Sequence, residues 1–322
     1  MTARVVSTSA LPFDVRAELG AGAALVEPET GRIDRRELAA ALGEADALLA
    51  TVRDRIDDEL LAAAPRLKIV ANIAVGYDNV DVAAASRRGV LVTNTPDVLT
   101  DATADLAFAL LLAAARRLGE GERLLRAGGW TGWELGQLLG QDVAGRTLGL
   151  VGLGRIGAAV AARARGFSMR ILYTSRRDAS AAEALGARRV PLDELFAESD
   201  FVSLHCPLTP KTRHLIDRDA LAAMKSTAIL VNTARGACVD EEALADALSR
   251  GAIAGAGLDV FEEEPRVHPG LLACERAVLA PHVGSATTAA RRRMVELSAR
   301  AVASALAGQT PETALNPEVM RG

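Results

Sequence analysis

An apolar run that ends in a glycine-rich turn, T-L-G-L-V-G-L-G-R-I-G at residues 147–157, limits the possible folds of this chain more than any other feature. The pattern G-x-G-x-x-G is weak alone, but here it follows an apolar strand and opens an alanine-rich helix. Gly152 permits the tight turn, Gly154 lets the backbone approach a pyrophosphate, and Gly157 lets helix and strand pack closely. The run therefore predicts a dinucleotide site at a helix N-terminus; a glycine-rich turn in a large α/β protein is the alternative.

The end of the next predicted strand indicates which dinucleotide binds. An NAD site usually has Asp or Glu about 20 residues after the first glycine, where it holds the ribose 2′-hydroxyl. Thr174 occupies that place and is followed by Ser175, Arg176 and Arg177. A small residue followed by arginines suits a 2′-phosphate, because guanidinium pairs well with phosphate oxygens. NADP(H) is therefore the predicted cofactor, and NAD(H) is the alternative if the two arginines are only a solvated pair.

Short apolar runs alternate with amphipathic runs on both sides of the turn. The predicted strands are 4–7, 23–26, 47–51, 67–72 and 90–93, then 147–151, 170–173, 201–204, 228–232, 254–258 and 277–279. The predicted helices are 35–42 and 82–87, capped by Asp34 and Asp81, with 57–63 between them, a long apolar helix 101–117 behind an N-cap at Thr100, and a closing helix 286–306. This alternation predicts an α/β fold with parallel sheets covered by helices.

Length and composition narrow the class of protein. A chain of 322 residues suggests two domains, and a net charge of −4 argues against a dedicated nucleic-acid binder. Cys206, Cys238 and Cys274 lie far apart without a C-x-x-C pair, so neither a disulfide framework nor a zinc site is predicted. The N-terminus lacks the apolar core of a signal peptide, and the longest apolar stretch, 106–115, is too short to span a bilayer. We expect a cytoplasmic protein that binds neither membrane nor nucleic acid.

Seven motifs carry a family resemblance, and they run across nearly the whole chain. They are V-G-Y-D-N-V-D (75–81), N-T-P-D-V-L-T-D-A-T-A-D (94–105), G-R-T-L-G-L-V-G-L-G-R-I-G (145–157), H-C-P-L-T-P-K-T (205–212), N-T-A-R-G-A-C-V-D (232–240), G-L-D-V-F-E-E-E-P (257–265) and P-H-V-G-S-A-T (281–287). With them the chain resembles the D-isomer-specific 2-hydroxyacid dehydrogenases, and within that family the glyoxylate and hydroxypyruvate reductases.

The resemblance implies a discontinuous architecture. Residues 1–99 and 287–322 would form a substrate domain, and residues 100–286 an inserted Rossmann domain for the cofactor. Both would be doubly wound parallel sheets of the Rossmann or flavodoxin type, with the active site in the cleft between them. The resemblance also implies a homodimer, with the helix 101–117 and the segment after it in the contact.

The resemblance assigns the chemistry of keto-acid reduction to a few residues. Arg235 follows an apolar strand and would anchor the substrate carboxylate through two donors, together with the backbone N–H groups of Val75 and Gly76. His282 would protonate the nascent alkoxide, since histidine titrates near neutrality. Glu264 would orient that imidazole and favour its charged form. A surface arginine and an acidic loop in solvent are the alternatives for Arg235 and Glu264.

The remaining site residues are predicted with the same family in view. The cofactor contacts would be Thr103, Gly152, Gly154, Arg155, Ile156, Gly157, Ser175, Arg176, Arg177, Cys206, Pro207, Thr212, Thr233, Ala234, Arg235, Asp259, His282 and Gly284. Asp259 would lie near the nicotinamide or cap a turn, and Trp133 would reach a partner's pocket or serve as a core or interface residue. His205 is interpreted as structural, Glu262 and Glu263 as solvated, and no metal ligand set is predicted.

The predicted function is NADPH-preferring reduction of a short 2-keto acid, glyoxylate or hydroxypyruvate, to the D-2-hydroxy acid. No basic cluster lies near residues 72–75 to hold a substrate phosphate, which favours short acids. The alternatives are an NAD-dependent dehydrogenase of another 2-hydroxyacid, of 3-phosphoglycerate or of phosphite. A non-catalytic, dinucleotide-sensing binding protein is the alternative from another class.

Overall fold

The computed structural model describes residues 2–176 and 180–321, so the predicted cofactor contact at Arg177 lies outside the described residues. The chain divides into two compact units. The first comprises Met1–Leu99 and Ala286–Gly322, and the second comprises Thr100–Ser285. None of the helices in the described ranges has the length and apolar character that a membrane crossing requires.

Twelve strands are found in the described residues. They are β1 (Ala3–Ser7), β2 (Ala23–Val26), β3 (Ala47–Ala50), β4 (Ile69–Asn72), β5 (Leu91–Thr93), β6 (Thr147–Val151), β7 (Arg170–Thr174), β8 (Arg188–Arg189), β9 (Phe201–Leu204), β10 (Ile229–Asn232), β11 (Gly255–Leu258) and β12 (Ala277–Leu279).

The α-helices found in the same residues surround these strands. They are α1 (Arg16–Leu19), α2 (Arg35–Leu42), α3 (Asp58–Ala62), α4 (Val82–Arg87), α5 (Thr100–Ala115), α6 (Leu118–Arg126), α7 (Arg155–Arg165), α8 (Ala182–Leu185), α9 (Leu192–Glu198), α10 (Arg218–Ala223), α11 (Glu241–Arg250), α12 (Pro269–Leu272) and α13 (Thr288–Leu306). Short 3₁₀ turns lie at Gly236–Cys238 and Pro317–Arg321.

The first unit contains a five-stranded sheet in the order β2-β1-β3-β4-β5, and every pair is parallel. This is the strand order of flavodoxin-like folds. The C-terminal segment belongs to this unit because Asn316 is buried against β5: its Oδ1 accepts from Val92 N at 2.7 Å, and its Nδ2 donates to the Val90 carbonyl at 2.9 Å. Buried side chains with both ends satisfied in this way fix a segment firmly.

The second unit contains a seven-stranded parallel sheet in the order β12-β11-β10-β9-β6-β7-β8. If β6 is counted as the first strand, the six strands from β8 to β11 have the Rossmann order 3-2-1-4-5-6, and β12 is an additional strand beside β11. The order reverses between β6 and β9, and ligands of such sheets bind at the carboxyl ends of the strands beside that point. The predicted fold class, two doubly wound parallel-sheet domains, is confirmed.

The apolar helix α5 packs within the second unit, on the face of β10 and β11. Its buried side chains include Phe108, Leu110 and Leu111, which join the core of this face. A Cβ built at Gly257 in β11 would lie 2.8 Å from Leu110 Cβ, so a glycine is required where helix and sheet meet. Packing inside one unit therefore accounts for the apolar character of this helix.

Helix ends differ from the predicted ones by one or two residues. Asp34 and Asp81 cap α2 and α4 as predicted. Thr100, the predicted N-cap of α5, is instead the first helical residue, and the helix ends at Ala115 because Arg117 adopts a left-handed φ of 52°. The closing helix begins at Thr288, since the hydroxyl of Thr287 accepts from Ala290 N and caps it.

Candidate active site

The three glycines of the turn between β6 and α7 meet three different requirements. Gly152 has a φ of +100°, and a Cβ built there would lie 2.8 Å from the His205 carbonyl oxygen. A Cβ at Gly157 would overlap the Gly152 carbonyl oxygen, so helix and strand approach each other only through glycine. By contrast, nothing lies within 4 Å of a Cβ built at Gly154. The open position is the one predicted to face the pyrophosphate.

At the start of α7, no side chain of the described residues accepts hydrogen bonds from the first backbone N–H groups. Gly154 is the N-cap residue, and no side chain caps the helix. Arg155 is exposed, and Ile156 packs partly against the core of the second unit. The first N–H groups of a helix have no intrahelical acceptor, so an uncapped start suits an anion. This geometry fits the pyrophosphate of a dinucleotide.

The end of β7 holds no carboxylate among its described residues. The Thr174 carbonyl accepts from Gly152 N at 2.9 Å, which ties the strand end to the glycine turn. Arg176 is exposed, and the Ser175 carbonyl accepts from Arg189 Nη2 at 2.7 Å. Sequence reasoning missed Arg189. It lies in β8, a strand of two charged residues that no hydrophobic pattern marks, and only the pairing of β8 with β7 brings it here.

The loop after β9 closes on itself. The hydroxyl of Thr212 accepts from Thr209 N at 2.8 Å and donates to the Pro207 carbonyl at 2.7 Å. Burial lowers the pKa of His205 to about 4, so this imidazole is neutral at pH 7, and its Nε2 lies 2.9 Å from Ser203 Oγ. A hydrogen bond from the Cys238 thiol lowers the pKa of Cys206. The predicted contacts Cys206, Pro207 and Thr212 therefore share one compact loop.

The turn after β10 is shaped by the buried amide of Asn232. Its Oδ1 accepts from Ala234 N at 3.0 Å, and its Nδ2 donates to the Arg235 carbonyl at 2.9 Å. Thr233 Oγ1 is buried and has no hydrogen-bond partner within the described part of the chain. Such an orphaned hydroxyl calls for an explanation. A polar ligand group at this strand end would provide one, and Thr233 is a predicted cofactor contact.

His282 and Glu264 form a hydrogen-bonded pair. Nδ1 of the imidazole lies 2.8 Å from Glu264 Oε2, and the two side chains are 32% and 30% exposed. The other carboxylate oxygen accepts from Phe261 N at 3.1 Å. Burial raises the pKa of Glu264, but the hydrogen bond and charge of His282 outweigh it, with smaller contributions from Phe261 N and the Arg235 charge, so the pKa lies below its ordinary value. The three predicted catalytic residues are thus brought together.

The backbone of His282 adopts the left-handed region, with a φ of 54°. For a residue other than glycine this costs about 1–3 kcal/mol and requires support. Asp259 supplies it: its carbonyl accepts from His282 N at 2.8 Å, and its carboxylate accepts from Val283 N and Gly284 N at 2.7 Å each. Of the two predicted roles for Asp259, the structure supports the turn.

Asp259 is 1% exposed, and burial raises its pKa, although the two N–H bonds lower it in part. A Cβ built at Gly284 would lie 3.1 Å from Asp259 Oδ2 and 3.4 Å from Thr103 Cγ2. The predicted contacts Thr103, Asp259 and Gly284 therefore lie together behind the His282 turn.

The first unit presents a different arrangement after β4. Three successive carbonyls, those of Ala74, Val75 and Gly76, accept from Thr95 N at 2.8 Å, Asn94 Nδ2 at 2.8 Å and Asn72 Nδ2 at 2.9 Å. In a trans peptide the N–H points away from the carbonyl. Fixing these carbonyls therefore directs the following N–H groups, those of Val75, Gly76 and Tyr77, to the opposite side. Sequence reasoning found Val75 and Gly76 but missed Asn72 and Asn94 as their supports.

The segment from α6 to residue 139 exposes large apolar side chains. Trp133 is 78% exposed, and five further large side chains are between 52% and 81% exposed: Leu118, Leu125, Trp130, Leu135 and Leu139. None of the residues of α6 is buried. An apolar surface of this size on a folded unit usually marks an interaction site. The predicted place of Trp133 in a subunit contact remains a prediction.

The acidic loop before Pro265 is more ordered than its sequence indicates. The sequence predicts a solvated Glu262, but its Oε1 accepts from Arg213 Nη2 at 3.0 Å and lies 2.5 Å from His214 Nε2. Glu263 pairs with Arg266 across the turn. The interpretation of Glu262 as a free surface acid is therefore wrong, because tertiary contacts from a distant loop reach it. Within the described ranges, no group of three or more His, Cys, Asp or Glu residues could hold a metal ion.

Comparison with known proteins defines the class. The NAD binding domain of the D-isomer specific 2-hydroxyacid dehydrogenases matches residues 108–284, which is more than half of the chain. The chain belongs to this family. Together with the glycine turn and the uncapped helix start, the match identifies an oxidoreductase that uses a nicotinamide dinucleotide.

Individual relatives bring the comparison closer. A glyoxylate reductase of Thermococcus onnurineus is 55% identical over 293 residues, which cover 89% of this chain and 88% of that protein. A crystal structure of a protein from Thermus thermophilus has a TM-score of 0.92 at 46% identity and covers 97% of this chain and 99% of its own. An NADPH-dependent glyoxylate/hydroxypyruvate reductase from Sinorhizobium meliloti, in complex with NADP and malonate, has a TM-score of 0.86 at 35% identity, with 98% of each chain covered.

Proposed function

We propose that this protein reduces a short 2-keto acid, glyoxylate or hydroxypyruvate, to the corresponding 2-hydroxy acid and prefers NADPH. The product has the D configuration when it is chiral, whereas glycolate formed from glyoxylate is achiral. The observation that carries the proposal is the hydrogen bond of 2.8 Å between His282 and Glu264, close enough to Arg235 for its charge to influence the carboxylate. A proton donor, its orienting carboxylate and a cation are the groups that carbonyl reduction requires. The names of the relatives, glyoxylate reductase and glyoxylate/hydroxypyruvate reductase, support this choice of substrate.

The second unit is proposed to hold the cofactor. The Gly154 backbone and the start of α7 would hold its pyrophosphate, and the Thr233 hydroxyl would find a partner on it. The reduced nicotinamide, when bound, supplies the hydride that the reaction needs. The chain's own contribution is to place the substrate, exclude water and deliver a proton.

The preference for NADPH is proposed from the end of β7. Thr174 brings no negative charge to the place where a 2′-phosphate would lie, and Arg176 is exposed beside it. Arg189 holds the Ser175 carbonyl at 2.7 Å and adds a second described guanidinium to this strand end. Two cations and no carboxylate favour a phosphate over a free hydroxyl.

The acid is proposed to bind through its carboxylate. The N–H groups of Val75 and Gly76 face away from carbonyls that Asn94 and Thr95 hold, so both are directed away from the body of the unit. Arg235 would bind the carboxylate or keto oxygen and polarise the carbonyl. Glycine at position 76 keeps the approach open, because a side chain there would cover the N–H groups.

His282 is proposed to protonate the keto oxygen as it gains negative charge. Glu264 fixes the ring through Nδ1, which leaves Nε2 to donate the proton. Asp259 holds the His282 turn in its left-handed conformation, so the imidazole is placed before the substrate binds. Preorganised donors of this kind lower the barrier because they need no rearrangement during the reaction.

We also propose a homodimer. Six large apolar side chains between Leu118 and Leu139 are exposed, among them Trp133 and Leu135, and a twofold contact would cover them. Light scattering is expected to give twice the 33.6 kDa of one chain. A mass equal to one chain would contradict the dimer without affecting the proposed reaction.

Initial rates of NADPH and NADH oxidation with glyoxylate, hydroxypyruvate and 2-ketobutyrate test the function. We expect NADPH-dependent turnover of the first two acids. The double variant Arg176→Ala/Arg177→Ala should lose about tenfold or more in kcat/KM for NADPH, because a hydrogen bond to a charged group contributes about 1.5–3 kcal/mol, and should change little with NADH. Arg188→Ala is the matched control, since Arg188 pairs with Glu194 and Glu198.

Activity with NADH alone would contradict the preference for NADPH but would not contradict the proposed reduction of 2-keto acids. No turnover of any of the three acids with either cofactor would contradict the proposed function itself. Phosphite, 3-phosphoglycerate and longer 2-hydroxy acids would then be tested in the oxidative direction.

A further inference from the structure

The loop that carries Glu264 is held at its base by a buried carboxylate. Glu241, the first residue of α11, is 7% exposed. Its Oε1 accepts from Glu262 N at 2.6 Å, and its Oε2 accepts from His268 N at 3.2 Å. One side chain therefore bridges the two ends of the segment 262–268, with Glu264 between them.

The tip of the same loop is closed by its own residues. Arg266 N donates to the Glu263 carbonyl at 2.9 Å, and the side chains of Glu263 and Arg266 pair across the turn. These local contacts fix the shape of the tip but not its place in the fold. The bonds to Glu241 join the loop to α11, and the bonds of Glu262 to Arg213 and His214 join it to the loop before α10.

A second contact joins this loop to the turn that carries Arg235. A Cβ built at Gly236 would overlap the Phe261 carbonyl carbon, so the two backbones lie in direct contact. Phe261 N in turn donates to Glu264 Oε1 at 3.1 Å. A displacement of the loop would therefore move the hydrogen bond that orients the carboxylate toward His282.

We propose that Glu241 is a positioning residue for catalysis: by bridging Glu262 N and His268 N, it sets the place of Glu264 and, through it, of His282. The inference rests on the proposed function. The carboxylate of Glu241 binds the loop backbone and not the Glu264–His282 pair, so its effect passes through that backbone. The charged groups that act on Glu264 itself are His282, Arg235 and the buried Asp259.

The bridge requires two acceptors on one side chain. Glu241→Gln keeps one oxygen but turns an NH₂ group toward the second N–H, so one of the two bonds is lost. Glu241→Ala removes both and leaves two N–H groups without their acceptor. Misplacement of a reacting group by about 1 Å costs about 10²-fold in rate, so we expect kcat to fall about 10²-fold for the alanine variant and by less for the glutamine variant.

A double-mutant cycle between Glu241 and Glu264 tests the proposal. We measure kcat, KM and the pH dependence of kcat with glyoxylate and NADPH for the wild type, Glu241→Gln, Glu241→Ala, Glu264→Gln and the double variant Glu241→Ala/Glu264→Gln. If Glu241 acts through Glu264, the double variant is no slower than Glu264→Gln, because coupled groups are not additive. The KM for NADPH stays within about twofold, and the pH profile of Glu241→Ala moves toward that of Glu264→Gln.

The matched control is Glu242→Gln. Glu242 is the next residue on α11 and is exposed, so this change removes a carboxylate from the same helix without touching the loop. Thermal unfolding and NADPH titration of each variant separate loss of fold from loss of position. If Glu241→Ala does not fold, Glu241→Gln takes its place both alone and in the double variant with Glu264→Gln.

Three results would overturn the proposal. The first is a Glu241→Gln or Glu241→Ala variant with the kcat and pH profile of the wild type. The second is full additivity in the double variant, which would make Glu241 independent of Glu264. The third is a fall in melting temperature with an unchanged rate for the folded protein, which would make the role purely structural. A wild type that reduces no 2-keto acid would instead contradict the proposed function, and this inference with it.

Discussion

Two turns at the carboxyl ends of parallel strands, one in each unit, are built in opposite ways. After β4, the turn at Ala74–Gly76 has its carbonyls bound by donors, including the amides of Asn72 and Asn94, and its N–H groups point to the opposite side, where we propose that the acid binds. After β12, the N–H groups of Val283 and Gly284 are bound by the carboxylate of Asp259, which follows β11, and the side chain of His282 is the proposed proton donor.

The difference shows that the backbone group that a turn presents determines which side chains can support it. A turn that binds anions with its backbone needs hydrogen-bond donors behind its carbonyls, and neutral amides provide them without bringing a negative charge near the anion. A turn that presents an imidazole needs acceptors for its N–H groups, and carboxylates are the strongest acceptors. Asparagines in the first unit and acids in the second thus meet complementary needs.

The largest effect that we expect is the loss of glyoxylate reduction in His282→Asn, which changes the second turn. Asparagine tolerates a left-handed φ, so the turn is kept while the proposed proton donor is lost. We expect kcat for glyoxylate reduction to fall about 10³-fold, within the range of about 10²–10⁴ for a general acid. Steady-state NADPH oxidation measures it.

The control is His268→Asn, because His268 caps α12 with its side chain and asparagine can replace it as a cap. A His282→Asn variant within about tenfold of the wild-type kcat would remove His282 from the reaction, since even the weakest general acids contribute about 10²-fold.

Asn94→Ala tests the first turn, and we expect a smaller effect on another parameter. Without the amide, the Val75 carbonyl loses its donor, and the peptide that presents Gly76 N–H can rotate. Loss of one hydrogen bond of about 1 kcal/mol raises the KM for glyoxylate about fivefold and changes kcat less. Asn94→Asp, which has the same size but turns an acceptor toward the carbonyl, should raise KM at least as much. Equal effects on KM for NADPH and glyoxylate would show that the turn is not specific for the acid.

The smallest effect that we expect is a pH dependence of stability from Glu264. Its pKa is lowered in the folded state, so the ionised carboxylate stabilises the fold above the unfolded value of about 4.5, and this contribution is lost as the pH falls through the folded value. The melting temperature of the wild type should exceed that of Glu264→Gln at pH 7, and the difference should shrink below about pH 4.5. A difference that grows on acidification would contradict the charge pairing with His282.

Most of the fold could be predicted from the sequence, because parallel strands and their connecting helices follow from local patterns. Apolar runs were enough to predict the strands around the glycine turn, and the residue type was enough to predict the caps at Asp34 and Asp81. The predicted end of α5 lies two residues too late because nothing local marks the left-handed Arg117. The short strand β8 escapes prediction because its two arginines carry no hydrophobic signal.

Only those site residues that belong to sequence motifs could be predicted. Arg235, Glu264 and His282 were found through family motifs, and the structure brings them together. Their supports were not found, since Glu241 reaches residues 21 and 27 positions away along the chain, and neither spacing has a local pattern. Asn94 reaches 19 residues back to the Val75 carbonyl in the same way. Supports of this kind are tertiary contacts, and only the folded chain shows them.

The most direct test of the central claim follows the hydrogen that is transferred. The wild type would be incubated with glyoxylate and NADPH that carries deuterium at both C4 positions, and the glycolate formed would be analysed by mass spectrometry. We expect one deuterium in each glycolate, and one glycolate for each NADPH oxidised. Glycolate without deuterium, or NADPH that stays intact with glyoxylate present, would contradict hydride transfer to the keto carbon as the reaction of this protein.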